Sequence, residues 1–200
     1  MWQRRALWSV MVWCVAVSAF AQPSRLVVDQ TNAPVADPAF TLAVGGQSDQ
    51  YLAQTVTVGV PGRLWEVRLP IGCASGELVL EIRDVDAEGK PGPRVFRRLT
   101  FDAESHPALF PDVLTDEFRS LRITGRPLTF SAGDTFSIVV ANTDSPTATC
   151  GVWPAGPDDD YLAGQGWFLG AFGGVRIWYP LDVGQSNATQ DLPFMTVVFR

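Results

Sequence analysis

The chain of 200 residues contains one His, one Lys and three Cys, and only 18% of its residues are charged. Each scarcity removes a class of function. A serine triad needs a His beside its nucleophile. The sole histidine, His106, sits in a Ser105-His106-Pro107 loop, no Gly-x-Ser-x-Gly occurs, and Ser186 in Gly184-Gln185-Ser186-Asn187-Ala188 lacks the final glycine. Zinc and iron sites, which draw on several His and Cys side chains, are excluded in the same way. Fifteen basic against 21 acidic residues leave a net charge of −6, so no basic face for nucleic acid is expected. Beyond residue 21 no run of eighteen apolar residues occurs, so no membrane-spanning helix is expected in the mature chain. Helical spacing is missing as well. No eleven-residue window after the first 21 residues sustains it without Gly or Pro, and Pro111–Arg119 offers a turn or two at most.

What is present is apolar residues, at 46%, with 18 Gly and 15 Pro to punctuate them. That composition suits a folded domain rather than a disordered chain. At the start, Arg4 and Arg5 precede an apolar stretch from Ala6 to Ala19, and Ala19-Phe20-Ala21 is a small-x-small cleavage site. Residues 1–21 read as a secretory signal peptide. Lipid attachment at Cys14 is not expected, because Trp13 precedes it where a small residue is needed. Cleavage would leave residues 22–200 with a net charge of −8 and two cysteines, Cys73 and Cys150. An even pair in an exported chain is most simply one disulfide. Its 77-residue span is valued at roughly 4–5 kcal/mol by the chain-entropy model. The expected location is secreted, periplasmic or at the cell surface.

Along the mature chain the recurrent period is two. Leu78, Leu80 and Ile82 alternate with Val79, Glu81 and Arg83, and Trp65, Val67 and Leu69 alternate with Glu66 and Arg68. These are half-buried strands, and Trp65 is expected in the core with Val67 and Leu69. Further strands are expected at Gln54–Val58, Val95–Phe101, Phe118–Thr124, Leu128–Phe130 and Thr135–Ala141. Later ones fall at Cys150–Trp153, Gln165–Leu169, Gly174–Trp178 and Phe194–Phe199. Residues 22–50 are looser, with Leu26-Val27-Val28 as an edge strand. Short strands at this spacing, with Gly/Pro turns between them, predict an all-β protein: a single jelly-roll-like antiparallel β-sandwich.

Several segments carry a resemblance. Asp29-Gln30 is followed by Gln54-Thr55-Val56-Thr57-Val58-Gly59, Leu78-x-Leu80-Glu81-Ile82-Arg83-Asp84-Val85 and a Gly-Lys-Pro-Gly turn at Gly89–Gly92. Leu128–Val140, Asp159–Gly164 and Asp191-Leu192-Pro193-Phe194 complete the series. In order and spacing the chain resembles the jelly-roll modules of secreted and surface bacterial proteins, of the choice-of-anchor kind, over roughly residues 26–200. The resemblance implies an extracellular scaffold and leaves the ligand undefined. No sorting tail follows Phe199, which departs from that pattern.

Two features bear on chemistry. Asp158-Asp159-Asp160 places three acids side by side in a Gly/Pro-rich loop. They repel one another unless solvated or neutralised, so the only cofactor envisaged is a structural calcium at this loop. Asp84-x-Asp86-x-Glu88-Gly89 imitates half an EF-hand, but Val95 stands at the twelfth position, and the stretch reads as a hairpin. Trp153, Trp167 and Trp178, with Tyr161 and Tyr179, crowd the last third of the chain. Open Trp and Tyr rings stack on sugar C–H faces while Asp accepts from hydroxyls; buried rings would simply be core. Trp153, Asp158, Asp160, Tyr161, Trp167 and Trp178 are therefore the candidate ligand contacts. The expected function is a non-catalytic module binding a glycan or cell-surface partner. A structural envelope or matrix protein is the alternative. A glycoside hydrolase comes third, since Glu77, Glu81 and Asp84 on or beside a strand read as a solvated face. Asn187-Ala188-Thr189 has the form of a glycosylation sequon and marks an exposed loop.

Overall fold

A computed structural model describes residues 24–36, 41–46, 49–102, 116–143, 149–156, 161–172, 174–181 and 191–200. Every regular element in it is a strand: β1 (Leu26–Asn32), β2 (Leu42–Gly45), β3 (Tyr51–Thr57), β4 (Gly62–Leu69), β5 (Ile71–Cys73), β6 (Glu77–Val85) and β7 (Pro91–Asp102). They are followed by β8 (Arg119–Arg122), β9 (Thr129–Phe130), β10 (Thr135–Asn142), β11 (Thr149–Val152), β12 (Gly166–Phe172), β13 (Val175–Pro180) and β14 (Phe194–Phe199). Residues 1–21, which carry the expected signal peptide, lie outside the described residues, as do His106, Ser186 and the 187–189 sequon. Of the weak helical candidate at 111–119, residues 116–119 are described, and Arg119 opens β8. Within the stretch expected to be looser, residues 26–32 and 42–45 are strands.

Pairing is antiparallel throughout. A five-stranded sheet runs β1-β14-β4-β8, with β9 also on β4; a six-stranded sheet runs β13-β12-β3-β10-β6-β7; and β2-β11-β5 form a third. The first two sheets bury a common core. Leu64, Val67, Leu69, Leu121 and Phe194 come from one, and Leu52, Val56, Leu80, Ile82, Phe136 and Ile138 from the other. Rings cross between them, with Phe130 stacked on Phe136 at 4.8 Å and Tyr161 edge-on to Phe194 at 4.9 Å. Each such buried side chain contributes about 1.5–3 kcal/mol relative to exposure. The arrangement is all-β and sandwich-like, the fold class that the alternation predicts.

A polar cluster interrupts this core around Gln54. Gln54 is fully buried on β3, where its Nε2 donates to Asp191 Oδ1 at 2.7 Å and its Oε1 accepts from the Leu192 amide at 2.7 Å. Asn32 of β1 donates to the Leu192 carbonyl at 3.1 Å. The segment entering β14 is thus tied to the six-stranded sheet and to the edge of the other.

Trp65 departs from the expected core position. Val197 pairs with Glu66 and Val198 with Leu64, so Trp65 is an extra residue in β4, a bulge. The bulge takes Trp65 out of phase with Val67 and Leu69. It sits half-buried, with the Arg122 guanidinium 4.0 Å and that of Arg63 5.1 Å from its ring, and Phe199 beside it at 6.0 Å.

Cys73 and Cys150 are cross-strand neighbours on β5 and β11 and are disulfide-bonded, closing the 77-residue span. The bond lies within the core beside Val44, Ile71 and Val152. Asn142 of β10 donates to Cys150 Sγ at 3.2 Å. Reduction, or a paired Cys73→Ser and Cys150→Ser exchange, is expected to lower stability by roughly 3–5 kcal/mol in denaturant melts. An unchanged midpoint would contradict this.

Candidate functional site

Strand β3 has two unlike faces because its residues alternate. Leu52, Gln54 and Val56 point into the core, and Ala53, Thr55 and Thr57 point to the other side of the six-stranded sheet. That outer side carries the aromatic residues. Trp167 of β12 is opposite Ala53 and packs on Ala53 and Val139, with Tyr51 and Trp178 against the group. Arg176 lies over the Tyr51 ring at 4.5 Å and is held there by Asp49 at 2.6 Å.

Beside Trp167 the surface opens into a cleft of about 520 Å³. Its floor is Thr55 and Thr57 of β3 with Thr135 of β10. One wall is Ala163, Gly164 and Gln165, and another is the β6–β7 turn with Glu88 and Gly89. The first wall is locked onto β3 by hydrogen bonds. The Thr55 amide donates to the Gln165 carbonyl at 2.9 Å, the Gln165 amide to Thr55 Oγ1 at 2.9 Å, and Thr57 Oγ1 to the Ala163 carbonyl at 2.7 Å. Gly164 is a matter of space: a Cβ there would stand 1.9 Å from the Thr55 carbonyl oxygen. The second wall is a turn built on Asp86, whose Oδ1 accepts the Glu88 and Lys90 amides at 3.0 and 2.8 Å, with Gly89 at φ +81°. The hairpin reading of Asp84–Gly89 is therefore correct.

Trp167 is only 7% exposed, and its indole N–H has no acceptor among the described residues. A buried donor left unmade costs about 1–3 kcal/mol. The N–H is sealed from solvent, so an oxygen would recover it only with a shift of the Trp167 ring or of the cleft wall beside it.

The sequence-derived candidates divide. Trp167 and Trp178 share the outer face. Tyr51 joins them and was missed; the alternation Tyr51, Ala53, Thr55, Thr57 was the available signal. Trp153 stands apart, beyond β11, where its indole N–H donates to the Val35 carbonyl at 2.6 Å. Tyr161 is 5% exposed and beneath the cleft wall rather than in it. Its hydroxyl accepts from the Thr57 amide at 3.1 Å and donates to the Thr57 carbonyl at 3.3 Å, so its polar capacity is used internally. Asp158 and Asp160, and with them the proposed calcium loop, lie outside the described residues. Among the described residues no three His, Cys, Asp or Glu side chains group as metal ligands would. Glu81 is held by Arg83 Nε at 2.6 Å and Arg98 Nη1 at 2.9 Å, and Asp84 Oδ1 accepts the Arg94 amide at 2.9 Å.

No family model matches the sequence, and none of the curated proteins matches it.

Burial pushes the Tyr161 hydroxyl from its ordinary 10 up to about 12; Asp29 and Asp191 add to the rise and the Thr57 hydrogen bond opposes it. The unfolded chain ionises first, so it binds fewer protons between these values and stability falls there as pH rises. This contribution is complete below pH 10 and is lost through about pH 12. Melting temperature is expected to fall more steeply across that window in the natural protein than in Tyr161→Phe. Parallel curves would contradict the assignment.

Proposed function

We propose that the chain is a secreted, non-catalytic module that binds a glycan in the cleft beside Trp167. The observation that carries this reading is the buried indole N–H of Trp167, without an acceptor among the described residues, beside a cleft lined by Thr55, Thr57, Thr135, Gln165 and Glu88. Hydroxyls, a side-chain amide and a carboxylate around one cleft suit the hydroxyls of a sugar, while the buried Trp167 ring backs the cleft rather than offering an open stacking face. A volume of about 520 Å³ is of the size that small ligands occupy. Secretion belongs to the same proposal. A structural disulfide is consistent with an oxidising compartment, and residues 1–21 have the form of a signal peptide. So does the resemblance to choice-of-anchor modules, which would make the sandwich a scaffold for this surface.

The structural alternative has its own support. Leu26 and Val28 are exposed on the edge strand β1, with Phe199 exposed opposite Leu26 on β14, where another chain could dock.

A glycan array probed with residues 22–200, with and without calcium, tests the first reading. Binding is expected to weaken at least about tenfold in Trp167→Phe, which keeps an aromatic ring but removes the donor together with the five-membered part of the indole. The same variant is expected to lose about 1–2 kcal/mol in denaturant melts, because the space left by the smaller ring in the group with Ala53 and Val139 outweighs the relief of the donor. Silence across the array together with concentration-dependent self-association would transfer the lead to the structural reading.

A further inference from the structure

We infer that a second cleft, between the start of β7 and the 126–130 segment, binds a carboxylate carried on a ring. It holds about 540 Å³ and is lined by Arg94, Phe96, Arg97, Arg126, Leu128 and Phe130, with Val95, Pro127 and Thr129 completing it. It shares no residue with the cleft at Trp167.

A bulge creates it. Ile82 pairs with Arg97 and Arg83 with Val95, which leaves Phe96 as the extra residue of β7. Arg97 therefore stands opposite Ile82, a core residue, at the rim of the sandwich. There its guanidinium lies against Gly125 and donates to the Arg126 carbonyl, which joins the two sheets at this edge. Phe96 and Phe130 meet edge to face at 6.2 Å below it, and the Arg94 guanidinium covers Phe96 at 5.1 Å.

Among the described residues this charge has no ion-pair partner. Elsewhere Arg68, Arg83, Arg98, Arg119 and Arg176 pair with Glu66, Glu81, Glu117 or Asp49. None of those ion pairs involves Arg94, Arg97 or Arg126, and no acidic residue lines their cleft. Arg97 Nε is also buried, with no acceptor among the described residues. In a chain of net charge −6, three arginines lining one cleft with Phe96, Leu128 and Phe130 form a local site against the prevailing field. Guanidinium forks match the planar carboxylate in geometry. Phe96, Leu128 and Phe130 then suit the ring that bears it, whereas a bare phosphate would set its remaining oxygens against hydrocarbon.

Such a carboxylate has two sources, the uronic acid units of a polysaccharide and a free aromatic acid. Amide-shift titrations with galacturonate oligomers, benzoate and neutral galactose oligomers separate them. A saturable response confined to residues 94–97 and 126–130, with the carboxylates only, is the expected result. Uronate alone assigns the saccharide source; benzoate binding as well or better assigns the free acid. Arg94→Gln and Arg126→Gln alter exposed side chains and should together weaken the response at least about tenfold. Trp167→Phe should leave it unchanged, so this site stands or falls independently of the first. No saturable response to either carboxylate, an equal response to neutral sugar, or an undiminished response in the arginine variants would overturn it.

Discussion

Gln54 holds the molecule in register. An unpaired amide in an apolar core costs several kcal/mol, so β3 can settle only where the Gln54 side chain meets Asp191 and the Leu192 backbone. A slip of one residue would carry Gln54 to the outer side and Thr55 into the core. With the register set, Thr55 and Thr57 must face outward, where they seize the 163–165 backbone. That segment becomes the wall of the cleft, and the next residues run into β12 and bring Trp167 beside it. The inner face of one strand thus determines the functional face on its other side.

The two large sheets differ in what they show the solvent. The outer side of the six-stranded sheet pairs aromatic rings with hydroxyls. The five-stranded sheet instead covers Trp65 with two arginines and buries Glu66 against Arg68 and the Ser120 hydroxyl at 2.6 Å. Bulges supply much of this asymmetry. Asp29 falls in one in β1 and accepts the Gly59 and Val60 amides at 2.9 and 2.6 Å. Trp65 occupies another, and Phe96 a third at the arginine cleft. Each re-aims a side chain that strict alternation would have sent elsewhere.

That is also why parts of the structure were legible in the sequence and others were not. Leu78, Leu80 and Ile82 announce a half-buried strand by local period alone, and the two cysteines beyond residue 21 leave one simple pairing between them. β2 and β5, at four and three residues, carry too little periodicity to be read. Their partner, β11, comes from far along the chain. Trp65 misleads because a bulge is invisible to a period-two count. Trp167 and Trp178 were recognisable as candidates from composition. That they share a face with Tyr51, while Trp153 and Tyr161 spend their polar groups on backbone, depends on non-local register. The arginine cleft is less legible still, since β7 and residues 126–130 meet only in the folded chain.

The most direct measurement is the indole ¹H–¹⁵N spectrum of the folded protein, free and with the glycan that binds it. Trp153, hydrogen-bonded to Val35, provides the internal reference for a satisfied indole. The Trp167 resonance is expected to lie apart from it in the free protein and to move toward hydrogen-bonded values on titration, while Trp153 stays fixed. A Trp167 resonance already at the bonded position, and unmoved by a glycan that demonstrably binds, would contradict the cleft as the binding site.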